Sequence, residues 1–450
     1  TINKMKYKLH LLLLCFAWTS QVKAQSEPND YSFNLNEAID YAQKHQTTIL
    51  NAQLDEDIAK NTVKKTVGIG LPQVNGSYTF QDFIDIQTVL IPGSFVGKPG
   101  SENVRAKFGV KYQSTLGLEV SQLLFDGSYI VGLQAAFTYK ELSARNLKRT
   151  RIETAVAVTK AYYSVLVSNE QLVLLDANLK QLKKSLEDTE ALFKNGLVEK
   201  IDVDRLSVLK NNSETERENV LRLLDLNMSL LKFQMGMTIQ SKLSLKDSIS
   251  SLQMDPITIV SDTMVCQSRI EYALLQTQKK LNQLDLKRYK SQFLPSVAAI
   301  GSASRNFMSD DFSTVFGNSF PTTVIGLKIS LPICSGGQRL YNVRNAKLEV
   351  LKSDNNMNQL KNAINLEVAQ AQTNYANGMQ SLENQKRNMK LAKDVLSVSH
   401  IKYEQGVGSS LEVTSAETSL KEAENNYIYA LYDMLINKVN LDKALGKINY

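Results

Sequence analysis

Proline is scarce in this 450-residue chain, with eight in all; histidine, cysteine and tryptophan are scarcer still, at three, three and one. So few prolines in a chain that is 43% hydrophobic exclude a disordered polymer. The three histidines, His10, His45 and His400, stand far apart. No HExxH, paired-cysteine motif, G-x-S-x-G elbow or phosphate loop is present. The residues therefore point to no catalytic group, no cofactor and no metal site. Past the first 24 residues no apolar run approaches the ~20 that a membrane helix needs. Either the rest of the chain is soluble, or it crosses a membrane as strands.

Those first residues read as an export signal over 1–24, with Lys4, Lys6 and Lys8 as a basic start, Leu9 to Ala17 as an apolar core and Val22-Lys23-Ala24 as a cleavage site. Met5 is a candidate start. Cys15 lacks the small residues that precede a lipidated cysteine, so a plain signal is expected. Losing Lys4, Lys6, Lys8 and Lys23 takes the formal charge from +7 to +3, which is no nucleic-acid footprint. Of the remaining cysteines, Cys266 and Cys334 bracket a helical pattern spanning roughly 40 Å, far beyond the ~7 Å a disulfide allows. Both are expected free.

What is present is a duplication. Phe193-Lys-Asn-Gly196-Leu197 and Tyr403-Glu-Gln-Gly406-Val407 each interrupt a helical run, 210 residues apart. Leu118 to Gly127 and Leu327 to Gly336 form a second pair, Leu71-Pro72 and Leu294-Pro295 a third. A repeated unit of this size exceeds any short solenoid repeat. The expected organisation is a first unit over 25–237, a connector over 238–265 without clear periodicity, and a second unit over 266–450.

Within the first unit, the 3.6-residue pattern predicts a helix from about Leu35 to Ile69, capped by Asn34 or Asn36 with Glu37 in its first turn. Val74, Tyr78 and Phe80 alternate with polar neighbours, the period of a strand with one apolar face. Leu116, Leu118 and Val120 repeat that pattern, giving a hairpin over 72–125 whose residues 82–112 read as loop. A helix follows from about Leu133 to Asn195, a turn at Gly196, and a helix over 201–234. The second unit repeats the order: helix 268–293, hairpin 295–333 with a loop near 306–321, helix 338–404, turn at Gly406 and helix to about Leu445.

A helix of about 65 residues spans roughly 100 Å, which no compact globule holds. In each unit the two shorter helices, stacked end to end, match the long one in length. Leu172, Leu175, Leu179, Leu182, Leu186 and Phe193 follow coiled-coil spacing, as do Val413, Ala416, Leu420, Ala423, Tyr427, Ala430 and Met434. The hairpins sit at the far ends of these rods, where their apolar faces have no protein cover. Lipid is one cover, and strands span it only as a closed barrel. Single-chain barrels begin at eight strands, so four must combine with other copies. Ten of the 15 phenylalanines cluster at the hairpins, suiting interfacial girdles: Phe80, Phe83, Phe95, Phe108, Phe125, Phe293, Phe307, Phe312, Phe316 and Phe320.

With this order of elements, Leu35-Asn-Glu-Ala38, Leu71-Pro72, Leu123-Leu-Phe-Asp-Gly127, Arg269 with Glu271, Leu294-Pro295 and the ending Leu435 to Gly446, the chain resembles the outer-membrane efflux proteins of the TolC family. The resemblance covers nearly all of the sequence after the leader. It implies a mainly α fold of long helical-barrel rods with four β-strands per chain, assembled as a homotrimer with a twelve-stranded barrel in outer-membrane lipid. It further implies passive conduction of substrates passed on by a periplasmic adaptor and an inner-membrane RND or ABC-type transporter. By the same resemblance Gly196, Leu197, Gly406 and Val407 form tip turns that dock the adaptor. Glu412 and Tyr403, with Asp202 and Asp204 after the first turn, are pore or gate candidates. Gly408 and Ser415 stand where the family pattern often has an arginine and a second acid. The competing reading is a soluble periplasmic coiled-coil adaptor, which presents a single helical hairpin between β-rich domains.

Overall fold

The computed structural model describes residues 30–92, 94, 97, 103–249 and 262–450; the expected export signal, Cys15, Phe95 and part of the connector lie outside them. In chain order the elements are β1 (Tyr31–Phe33), α1 (Leu35–His45), α2 (Thr47–Ile69), β2 (Gln73–Asp82), β3 (Thr88–Ile91), β4 (Val104–Lys107) and β5 (Tyr112–Phe125). There follow α3 (Gly127–Lys194), α4 (Lys200–Met235), β6 (Leu243–Leu245), α5 (Asp262–Ser268), α6 (Ile270–Ser291), β7 (Ser296–Ser309), β8 (Ser319–Ser330), α7 (Gln338–Glu404) and α8 (Ser410–Ala444). The molecule is a helical shaft carrying a β-sheet.

The rods α3 and α7 are 68 and 67 residues long, about 100 Å each. Their ends follow local chemistry. Asp126 caps α3 by accepting the Tyr129 N–H at 2.7 Å, and Asn34 forms a reciprocal capping box with Glu37 at the start of α1. Pro72 and Pro295, each lacking an N–H, stand just after a helix and just before a strand.

The helix expected over 35–69 is two helices. Gln46 leaves the helical region, at φ −68° and ψ 123°, and its side-chain amide donates to the carbonyls of Phe233 and Gln234 at the end of α4. Arg269 does the same in the second unit. It precedes α6 with φ −75° and ψ 131°, and its Nη1 donates to the Ala444 carbonyl at the end of α8. In both units, then, the residue before the ascending helix satisfies open carbonyls of the returning one, which joins two short helices into one rod. Gly236 and Gly446 end the returning helices with φ of +72° and +69°.

Around these junctions lies the main core. Val158, Ala161, Tyr162 and Val165 of α3 pack with Leu231 and Met235 of α4, Ile364, Val368 and Tyr375 of α7, and Ile428, Leu431, Met434 and Val439 of α8. The connector, which shows no periodicity in sequence, docks on this belt. Its strand β6 pairs in parallel with β1, two three-residue strands more than 200 positions apart, too short for an alternating pattern. Asp247 then accepts the Leu35 N–H and the Tyr162 hydroxyl, both at 2.9 Å.

The larger sheet has the order β2-β5-β7-β8, antiparallel throughout. Both hairpins contribute, joined through the central β5–β7 ladder. The stretch expected as loop over 82–112 carries its own ladder, β3 with β4, pairing Leu90 with Arg105.

Candidate functional site: a lipid-type sheet and a helical tip

Strand register decides what the sheet can contact. Directly paired residues share a face. One face carries mainly apolar residues, Val74, Tyr78, Leu116, Leu118, Val120, Val297, Ala299, Ile325, Leu327 and Ile329, with Arg305 and Thr323 toward the loop end. The other carries Asn75, Ser77, Thr79, Thr115, Glu119, Ser302, Ser304, Asn306 and Thr322. Thr115 donates to Asn306 at 2.9 Å across the polar face. Among the described residues most of the apolar face lies uncovered: Ile325 is 89% exposed and Ile329 68%. Among the described strands, β2 and β8 have no neighbour on their outer edges. At one end of the sheet Phe80, Tyr112 and Phe312 interlock while Phe307 packs on Phe316; Phe125 and Phe293 stand at the helical end. Phe320 departs from the girdle expectation, because its pairing with Asn306 puts it on the polar face.

At the opposite end of the shaft, both glycine turns have one geometry. Gly196 and Gly406 sit at φ +72° and +73°, and Leu197 and Val407 donate back to the carbonyls of Leu192 and Lys402 at 3.0 Å. This is a helix stop that requires a left-handed residue. Leu197 and Val407 are left exposed, at 70% and 76%. Gly408 has a different cause: a Cβ there would lie 2.9 Å from that of Lys402, so no larger residue enters without shifting the turn.

The gate candidates divide. Tyr403 and Asp202, from different hairpins, lie within reach of a charge interaction: burial pushes the Tyr403 phenol up, Thr189 opposes the rise and the Asp202 charge adds to it. Asp202 also closes a capping box with Glu199 and lies 3.6 Å from Arg205. Glu412 holds the matching third position of α8, with its N–H on Ser409 Oγ at 3.2 Å and its carboxylate exposed. Asp204 is likewise exposed on α4. Between the hairpins runs a groove of about 380 Å³, lined by Thr189, Leu192, Leu206, His400, Tyr403 and Val413.

His400, isolated in sequence, is not isolated here. Its Nε2 lies 3.3 Å from Glu417 Oε1 and 3.4 Å from Ser185 Oγ. Glu417 is buried, and Glu424, two turns further along α8, accepts the Asn178 side-chain amide. Sequence reading missed these residues. Their signal was available: Glu417 and Glu424 directly adjoin the Val413, Ala416 and Leu420 seam. Cys266 and Cys334 are both free.

A sheet with one greasy face, on a shaft whose described helices are nowhere long and apolar enough to span a bilayer, defines a class: proteins that enter lipid by strands and reach through water by helices. The profile of the family described as "Outer membrane efflux protein" matches residues 38–207 and 268–447, and the chain belongs to that family. Among relatives, the proteases secretion protein PrtF of Dickeya chrysanthemi is 21% identical over 75% of this chain and 73% of its own. The outer membrane protein TolC of Vibrio cholerae is 20% identical over 92% of this chain and 91% of its own. Among solved structures, the open state of the Neisseria gonorrhoeae MtrE outer membrane channel superposes with a TM-score of 0.75 at 18% identity, covering 92% of this chain and 89% of that one. The outer membrane protein VceC of Vibrio cholerae gives 0.71 at 17%, covering 92% and 96%. The protein is thus an outer-membrane efflux channel component extending into the periplasm, not an enzyme, and the soluble adaptor reading is set aside.

Proposed function

We propose that three copies of this chain close one barrel of twelve strands and continue as a helical tunnel, an exit duct that passively conducts substrates. One observation carries this reading: a four-stranded sheet with an uncovered apolar face and two open edges. In hydrocarbon each unpaired backbone group costs several kcal/mol, so β2 of one copy must pair with β8 of the next. At about 3.3 Å per residue and a tilt near 40°, the 14-residue strands β5 and β7 reach across the ~25 Å apolar band with length to spare. The polar face then lines the lumen.

The exposed tip turns around Gly196, Leu197, Gly406 and Val407 suit docking of a periplasmic adaptor, which links the duct to an inner-membrane pump of the RND or ABC type. Three Glu412 carboxylates would ring the pore mouth and favour cations. Mass measurement of the detergent-solubilised particle tests the assembly: a trimer is expected, and a lone protomer with an intact sheet would end the reading. Glu412→Ala should relieve cation block of the single-channel current, whereas an unchanged block would remove Glu412 from the gate.

A further inference from the structure

The lipid-type face of the sheet carries one charge that its apolar character does not explain. Arg305 of β7 pairs with Leu116 of β5 and Pro321 of β8, so it shares a face with Leu118, Ile325 and Ile329. It is exposed, and among the described residues it has no hydrogen-bond or ion-pair partner. Its two cross-strand neighbours have no side-chain group that could accept from it. From the row of Val297 and Ile329 up to the row of Arg305, every other described residue on this face is uncharged.

Position along the strand says where that charge stands. Arg305 follows Val297 by eight residues along β7, a rise of about 20 Å at 3.3 Å per residue and a tilt near 40°. The apolar band of a barrel is about 25 Å tall, so Arg305 lies near its rim, at the loop end. The next row on the same face holds Phe80 and Phe307, the one after it Tyr112. Phe312 and Phe316 pack against them, which is the aromatic level of a membrane interface. Since the shaft extends into the periplasm, this rim meets the outer leaflet. The acids nearby are engaged: Asp311 accepts from the Ser313 N–H and hydroxyl, Asp310 from the Lys111 N–H, and Asp82 lies within charge reach of Lys111.

We propose that Arg305 seats a phosphate of an outer-leaflet glycolipid, whose acyl chains then lie along the Leu118 and Ile325 rows. A charge left in hydrocarbon is costly, but near the rim the long arginine stem reaches headgroup level. There a planar guanidinium matches a phosphate, which it binds through two parallel hydrogen bonds. The outer leaflet of such a membrane is built of phosphorylated glycolipid, while ordinary phospholipid faces the periplasm, so the loop-end position selects the first. The proposal rests on the channel reading above, because only a sheet standing in the outer membrane brings Arg305 to that leaflet.

Native mass spectrometry of the full protein in detergent, titrated with purified lipid A, tests this. The wild type should hold the phosphorylated lipid on the order of tenfold more tightly than its dephosphorylated form. Arg305→Gln should bring the two forms to equal affinity. Lys328→Gln, which removes a cation from the polar face at the helical end, should keep the preference. Inorganic phosphate at the same concentration should not displace the lipid. Equal affinity of the wild type for both forms overturns the seat, and that comparison decides alone if Arg305→Gln does not fold. A preference that survives Arg305→Gln overturns it as well, and so does displacement by inorganic phosphate, which would leave a plain anion site. Each of these outcomes leaves the channel standing. A protein that binds neither form and is recovered in the soluble fraction would sink the channel reading and the seat with it.

Discussion

The helices α3 and α8 are held in two ways along their length. At the middle of the shaft they enter one apolar cluster that collects residues from both units, with Met434, Leu231 and Met235 fully buried. Toward the tip α3 meets the second hairpin through polar pairs, Asn178 with Glu424 of α8 and Ser185 with His400 of α7, beside leucines such as Leu175 and Leu182. A continuous rod is thus clamped by apolar burial at one level and held partly by polar pairs at another. Apolar burial fixes position without a titratable group, whereas a polar pair holds only while its charges match.

The sharpest way to break the contrast is at Arg269, which is 4% exposed and bonded at 2.9 Å to Glu271, Glu367 and the Ala444 carbonyl. Arg269→Ala leaves two carboxylates and a helix end without their partner. It should cost about 4 kcal/mol, read as a fall in unfolding temperature in detergent. Met434→Ala should cost about 3 kcal/mol by opening a cavity in the central cluster. Hydrogen exchange should then quicken in α3, α7 and α8 together. Leu420→Ala, in the small tip cluster of Leu396, Val413, Ala416 and Leu420, should quicken exchange in the second hairpin alone; a spread to the middle of the shaft would erase the distinction.

Gly406→Ala forces a left-handed backbone on alanine in a turn with open space around it, costing about 1 kcal/mol. Gly236→Ala has the same φ, but its Cβ would meet the His45 carbonyl oxygen at 2.6 Å, so the larger loss is expected at the middle. Smallest is the response to acid, and its sign separates the two regions. Burial alone would raise Glu271, but its hydrogen bond and charge interaction with Arg269 hold it below the ordinary carboxylate value. Its contribution is present above about pH 4.5 and is lost as pH falls through the lowered value. Burial pushes Glu424, beside Asn178, up to about 7, so its contact is favoured in acid and weakens as pH rises through that value. Acid should therefore loosen the Arg269 junction and tighten the Glu424 contact, which exchange measured at the start of α6 and across 417–425 can follow separately. Parallel changes at both places would remove the comparison.

Much of this was legible in the residues. The long helix read over 338–404 is α7, and the tip turns at Gly196 and Gly406 lie where a glycine interrupts the periodic run. Asn34 and the two Leu-Pro pairs announce helix ends because capping and proline sterics act within a few residues. The alternation at Leu116 to Val120 foretold a two-faced strand because side-chain direction is local too. The gate candidates were less legible: Glu412 and Asp202 are both third residues of a helix, and a capping site and a proposed pore acid look the same in sequence.

Sequence alone, then, determined the rods, the hairpin faces and the turns, since each follows from chemistry among near neighbours. The tertiary structure decided the rest. It broke the first helix at Gln46 to serve carbonyls nearly 190 residues away, and paired β1 with β6 over more than 200. It also put His400 and Glu417 beside Ser185, and Glu424 beside Asn178. The physical reason is that burial and hydrogen-bond partnership belong to pairs of distant residues, and no spacing within one helix encodes which helix will lie against it.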